Sequence, residues 1–223
     1  MSLPASYYED KWAVIYHGDC LDIMPEMQAA SVDMTLTDPP FNARIDYGAS
    51  VNDERTWPDY IAWLIRIVDE MERITDGPVF VFLSVNGLLE LTPIKRPRHI
   101  CVWDKPMSFS PRLGGSPFLP HWEPCAIFGK VHGQGGRVPD WHLPDVWHHN
   151  TAKRNRHPCP KPESLLIQII GASPAGVILD PLMGSGTTLV AAKQLNRHAI
   201  GIEIEEKYCE IAANRLAQEV LEL

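Results

Sequence analysis

The chain lacks an apolar run of the roughly 18 residues that a membrane span requires. Its most apolar stretch, residues 79–85, is far shorter. The start, Met1-Ser2-Leu3-Pro4, carries neither the basic flank nor the apolar segment of a secretory signal. Cysteines are few: Cys20, Cys101, Cys125, Cys159 and Cys209, an odd number with no CxxC pair. That argues against a disulfide frame or a structural zinc and fits a reduced, cytoplasmic setting. Two common glycine loops are also missing. No GK[ST] occurs, which excludes a Walker phosphate loop, and no GxGxxG, which excludes the dinucleotide fingerprint. There is no internal repeat. What is present is ordinary globular composition, 45% hydrophobic and 22% charged over 223 residues. It excludes a disordered or collagen-like chain and leaves room for one sizeable core.

Charge is scarce in one sign and unevenly placed. The net charge is −8, yet residues 95–161 hold eleven Lys/Arg against four acids, and seven of the nine histidines. The remainder holds nine basic and twenty-four acidic residues. A basic face on an acidic body can steer a polyanion while keeping the body soluble. A solvated loop with incidental charge is the competing explanation.

Hydrophobic periodicity alternates between strand and helix. Val32, Met34 and Leu36 alternate with Asp33, Thr35 and Thr37 before Asp38-Pro39-Pro40 stops the run, which reads as a strand ending in a rigid loop. Residues 14–16 form a shorter strand, and 79–83 one of the fully buried kind. Thr56 before Pro58 opens a helix carrying Ile61, Leu64, Ile65, Val68 and Met71. Strands are expected at 99–103, 125–128, 177–179 and 198–203. Helices are expected from Pro162-Glu163, over 187–195, and over 205–221. This order predicts an α/β fold with a mostly parallel sheet covered on both faces. Residues 104–160 interrupt it with nine prolines, six glycines and three tryptophans, so the substrate-facing surface is placed there. Trp141 and Trp147 suit either base stacking or pinning of this segment to the core.

Two loops carry chemistry. Asp180-Pro181-Leu182-Met183-Gly184-Ser185-Gly186-Thr187-Thr188 follows a strand and precedes a helix. Its glycines let backbone N–H groups approach a ligand, and the helix N-terminus favours an anionic group. The next strand ends at Glu203, placed to accept both hydroxyls of a ribose. A tight strand-to-helix turn is the bland alternative. In the second loop, Asp38-Pro39-Pro40-Phe41, two prolines fix the backbone. The Asp38 carboxylate and Pro39 carbonyl can then share a small site beside the Phe41 ring. Two acceptors and a flat apolar plate suit an exocyclic amine on a planar base, whose nitrogen is a poor nucleophile until its lone pair is turned out of conjugation. A proline-stiffened turn with Phe41 in the core is the alternative. His142, His148, His149, His157 and Cys159 match no common ligand spacing, so no metal is expected.

Together these segments resemble the exocyclic amino-methyltransferases of DNA that use S-adenosylmethionine. In that family a [DN]PP[YFW] loop is catalytic and a DPxxGSGTT loop binds the cofactor. The catalytic-first order resembles the beta class. His17-Gly18-Asp19-Cys20-Leu21 resembles its motif whose acid and next residue contact the cofactor adenine. His157-Pro158-Cys159-Pro160-Lys161-Pro162 resembles its HPTQKP motif around the methionine part, and Gly201-Ile202-Glu203-Ile204 its ribose motif. Leu182-Met183 and Cys159-Pro160 depart from the usual residues without removing a group of assigned chemistry.

The resemblance implies a Rossmann-like methyltransferase fold of permuted order, with the strand ending at Asp38 beside the strand ending at Asp180 at the centre of the sheet. It implies one domain over 1–223: a catalytic half at about 12–103, a short recognition region at about 104–156, and a cofactor half at about 157–223. Asp38, Pro39, Pro40 and Phe41 would be catalytic. Asp19, Cys20, Asp38, His157, Lys161, Pro162, Asp180, Pro181, Met183, Gly184, Ser185, Gly186, Thr187, Thr188, Glu203 and Ile204 would bind S-adenosylmethionine. Arg44, Lys105, Arg112, Lys153, Arg154 and Arg156 would face DNA. The expected reaction methylates adenine N6 of a base flipped from duplex DNA. The alternatives are cytosine N4, for which the family usually has Ser at the position of Asp38, or a silent nucleic-acid-binding relative. A bacterial or phage-encoded cytoplasmic enzyme is implied, with a homodimer and a companion restriction nuclease left open.

Overall fold

A computed structural model describes residues 3–106, 121–131, 142–152 and 159–218. Arg112, Trp141, Lys153, Arg154, Arg156 and His157 lie outside the described residues. The strands in chain order are β1 (Tyr8–Glu9), β2 (Ala13–His17), β3 (Met34–Thr37), β4 (Pro78–Phe82), β5 (His99–Asp104), β6 (Trp122–Gly129), β7 (Val146–His148), β8 (Ile178–Asp180) and β9 (Ala199–Glu203). The helices are α1 (Cys20–Ile23), α2 (Trp57–Ile74), α3 (Val85–Leu91), α4 (Glu163–Gly171), α5 (Thr187–Gln194) and α6 (Glu206–Ala217). The nine strands of the described residues join one sheet in the order β1-β2-β9-β8-β3-β4-β6-β5-β7. The five strands from β2 through β4 in that order run parallel, while β6 lies antiparallel between β4 and β5.

Alternate residues of the strands feed two separate apolar cores, one on each face of the sheet. Phe80 and Phe82 of β4 enter the core covered by α4, α5 and α6, with Leu165, Ile169, Leu189 and Leu216. Val79 and Val81 enter the opposite core, with Ile23, Leu64, Val68 and Met71 of α1 and α2. Helix α2 begins as its sequence dictates: Thr56 caps it, accepting from the Asp59 N–H at 3.3 Å, and Pro58 stands in its first turn. Strand β3 differs from its alternating pattern, because all four residues are buried. Its polar side is satisfied internally: Thr35 and Thr75 hydroxyls lie 2.7 Å apart, and Thr37 donates to Asp180 at 2.9 Å. Trp147 is fully buried, edge-on to Phe82, with its indole N–H on the Pro144 carbonyl at 2.6 Å. It pins β7 to the core and offers no surface to a base.

Candidate active site

The two chemical loops meet because β3 and β8 are neighbours. Thr35 stands opposite Leu179, so Asp38 and Asp180 leave the sheet side by side at its centre. This is where strand order reverses and ligands of open α/β sheets bind. Asp180 ties the junction together. It accepts from the Thr37 hydroxyl at 2.9 Å, the Thr188 hydroxyl at 2.6 Å and the Leu182 N–H at 3.2 Å. Burial pushes its carboxyl up to about 6, against the pull of those donors.

The glycine loop then turns into α5. Gly186 caps that helix at φ 76°, and a Cβ there would stand 2.6 Å from the Ala212 Cβ. Only glycine lets the loop pass so close to α6. Glu203 ends β9 and is gripped from two sides: the Gly184 N–H at 2.9 Å on one oxygen and the Glu205 N–H at 2.8 Å on the other. Burial lifts its carboxyl to about 7 although both N–H groups favour the charge. Asp19 caps α1 through the Leu21 N–H at 2.9 Å, beside Glu203, because His17 and Glu203 are partners across β2 and β9.

An open cleft of about 1120 Å³, solvent at its mouth included, collects these groups. Its wall carries Asp19 and Cys20, Asp38 and Pro40, Lys161, residues 180–185, Thr187 and Thr188, and Glu203 with Ile204. Four residues proposed from the sequence do not line it. Pro39 is buried, Gly186 is under the loop, and Pro162 instead precedes α4 as its cap. Phe41 is half-buried against the core, with the Lys161 ammonium 5.0 Å from its ring.

Several contributors carry no periodic or motif signal. Tyr47, Ser50, Val51, Asn52 and Arg55 form part of the wall. Their loop is organised by buried Asp53, which accepts from the N–H groups of Asn42 at 2.6 Å, Ala43 at 3.1 Å and Ile45 at 2.9 Å. The Ser50 N–H reaches Glu205 at 2.5 Å, tying the loop to the start of α6. Tyr60 of α2 donates to the Pro40 carbonyl at 2.9 Å and so fixes the Asp-Pro-Pro loop from behind. The only sequence cues were Asn42 and Asp53, residue types that bond backbone in turns.

Asp38 does not stand alone. Lys161 Nζ lies 2.7 Å from its Oδ1 and 3.1 Å from Glu123 Oε2, and Lys105 Nζ donates to Glu123 Oε1 at 2.8 Å. Burial pushes the Asp38 carboxyl upward, Lys161 opposes this, and Glu123 adds to it. Asp38 still keeps 28% of its side chain open to the cleft, which moderates the rise. Lys105, expected to face DNA, is corrected here: it is 7% exposed and committed to Glu123. A lysine can satisfy a buried acid only by leaving the surface, and Glu123 stands opposite Trp103, two residues before Lys105, in the β5–β6 pairing. Other lysines of the basic stretch are also paired, Lys95 with Asp69 at 2.8 Å and Glu72 at 2.6 Å, and Lys130 with Asp76. Arg44 is exposed and pairs with Glu54 at 3.0 Å.

Comparison with known proteins decides the family. A family model described as DNA methylase matches residues 115–214. The chain is 30% identical to the type II methyltransferase M2.DpnII of Streptococcus pneumoniae, over 96% of this chain and 92% of that protein. The chain belongs to the N6-adenine and N4-cytosine DNA methylases. The fold of this methylase is shared with the cytosine-N4-specific PvuII DNA methyltransferase, at a TM-score of 0.73 and 16% identity, covering 97% of this chain and 90% of that one. It is shared too with M1.HpyAVI in complex with S-adenosylmethionine, at 0.66 and 23% identity, covering 91% and 99%. Among the described residues of the methylase, no helix is long and apolar enough to cross a membrane.

Proposed function

We propose that this methylase transfers a methyl group from S-adenosylmethionine to N6 of an adenine flipped out of duplex DNA. The observation that carries the reading is the side-by-side exit of Asp38 and Asp180, with Glu203 in the same cleft. Amine and methyl donor would thus be held by adjacent loops. The glycine loop fits such a cofactor: residues 180–185 line the cleft, and the Glu203 carboxylate is held by backbone with its remaining lone pairs available to ribose hydroxyls. When bound, S-adenosylmethionine supplies a methyl group on an electrophilic sulfonium. Glu203 would hold the ribose. Asp19 and Cys20 would border the adenine, as their motif implies.

Asp38 would act on the target amine. Ionised, it would accept an amine hydrogen and turn the nitrogen lone pair toward the methyl group. As nitrogen became cationic the nearby negative charge would stabilise it, and the surplus amine proton would leave to water at the mouth of the cleft. Flipping the base costs a few kcal/mol. The hydrogen bond to Asp38 would return roughly 0.5–1.5 kcal/mol, and other contacts within the cleft would supply the rest. No single interaction dominates. The reading predicts N6-methyladenine when mixed duplex DNA is incubated with the protein and S-adenosylmethionine, digested, and analysed by mass spectrometry of nucleosides. N4-methylcytosine instead would move the target. No methylated base would sink the reading.

A further inference from the structure

The charged groups behind Asp38 form a row of alternating sign. Lys105 Nζ donates to Glu123 Oε1 at 2.8 Å, and Lys161 Nζ stands 3.1 Å from Glu123 Oε2 and 2.7 Å from Asp38 Oδ1. The two cations are the buried members, with the side chains of Lys105 and Lys161 8% and 9% exposed, whereas Glu123 and Asp38 are 21% and 28% exposed. Asp38, at the end of the row, is the acid that lines the cleft. Ring faces close in on the inner cation, with Phe41 and Phe82 each 5.0 Å and Trp103 5.6 Å from Lys161 Nζ. These rings replace water around the ammonium and leave it little freedom to swing toward a ligand.

We propose that Lys161, anchored by Glu123 and Lys105, is a positioning residue that holds Asp38 ionised and leaves its second oxygen directed at the incoming amine. This departs from the cofactor-wrapping role implied for Lys161 by its motif, and it rests on the reading that Asp38 accepts the amine. Asp38 on its own sits in surroundings that favour a proton, and a neutral carboxyl would offer no charge to a nitrogen becoming cationic. Lys161 supplies the opposing charge at Oδ1. Glu123 shares that cation and limits its grip, and Lys105 keeps Glu123 in place.

The arrangement predicts opposite effects at two positions. Among the described residues, the charged groups facing Asp38 are Lys161, Glu123 and Lys105, with Asp180 across the sheet end. Tyr47, Tyr60 and Cys125 also face it, each kept neutral by burial. Removing the cation in Lys161→Met raises the Asp38 midpoint, by about one unit or more. Removing the competing acid in the near-isosteric Glu123→Gln lowers it.

The test is carbon NMR titration of the Asp38 carboxyl in the ligand-free protein, followed by the pH dependence of kcat on adenine-containing duplex DNA. Midpoints should move up in Lys161→Met and down in Glu123→Gln, and the acid limb of kcat should follow both. At neutral pH kcat should drop about ten- to a hundredfold in Lys161→Met, as expected for a misplaced reacting group, with Lys161→Arg recovering much of it. Cofactor affinity should stay within about threefold, since roughly tenfold is what losing a direct charged partner costs. Coincident midpoints in wild type and Glu123→Gln would overturn the proposal. So would a large loss of cofactor affinity in Lys161→Met with an unmoved acid limb, which would make Lys161 a cofactor ligand. The titration needs neither cofactor nor DNA. Opposite shifts without adenine methylation would therefore leave the network standing and remove the reading it serves, and methylation without shifts would do the reverse.

Discussion

Glu203, the proposed ribose ligand, also carries a titration. Its ordinary carboxyl range lies well below the value of about 7 that burial gives it in the folded protein. Between those limits the folded state binds more protons than the unfolded one, so stability falls as pH rises through the window. Glu203→Gln removes this effect. Relative to wild type, the variant should gain stability between about pH 5 and pH 8, by up to a few kcal/mol, as thermal melts of the ligand-free protein would record. The same substitution should weaken S-adenosylmethionine binding about ten- to a hundredfold, roughly 1.5–3 kcal/mol for one charge-assisted partner. Wild-type affinity should rise with pH through about 7, and the variant's should stay flat by calorimetry. A pH-dependent variant would assign that titration elsewhere. Glu203 was legible in the sequence because its distance from the glycine loop is fixed by one helix and one strand. Glu123 was not, because its role depends on cross-strand neighbours that no local pattern encodes.

Loop 43–55 is an element without regular structure, yet it forms part of the wall of the cleft. Its order is concentrated in one buried carboxylate taking three backbone N–H groups. Asp53→Ala should leave those donors without an acceptor, and the loop should loosen as a unit. Amide exchange at Asn42, Ala43 and Ile45 should speed up, and cofactor affinity should fall about tenfold, the scale of removing one charged acceptor. Unchanged exchange would mean the loop is held by other interactions. Elements with a long period were readable in advance. Helix α2 has eighteen residues, an N-cap and a proline in its first turn. By contrast β1, α1 and β7 are two to four residues long and α3 is seven, too short for periodicity to appear. Strand β3 looked half-polar, but a central strand buries both faces, and its threonines found partners inside.

At the scale of the whole molecule, the basic segment is less available to DNA than its composition implies. Lys95, Lys105, Lys130 and Lys161 are all engaged by acids, four of which, Asp38, Asp69, Glu72 and Asp76, lie outside that segment. On the proposed reading, phosphate binding would then fall mainly to arginines, and Arg96 and Arg98 are exposed. Lys95→Ala should leave the log–log salt slope of DNA binding unchanged. Replacing Arg154 and Arg156 by Ala should reduce it by about one for each phosphate no longer neutralised. An unchanged slope in the arginine variant would mean those side chains face solvent. The central claim concerns the division of labour between the loops at the ends of β3 and β8, one for the amine and one for the cofactor. Measuring methyl transfer and cofactor binding on the same Asp38→Ala sample tests it most directly. Transfer to duplex DNA should be abolished while S-adenosylmethionine affinity stays within about threefold of wild type, because the loss falls in the chemical step. Transfer within about threefold of wild type would contradict it.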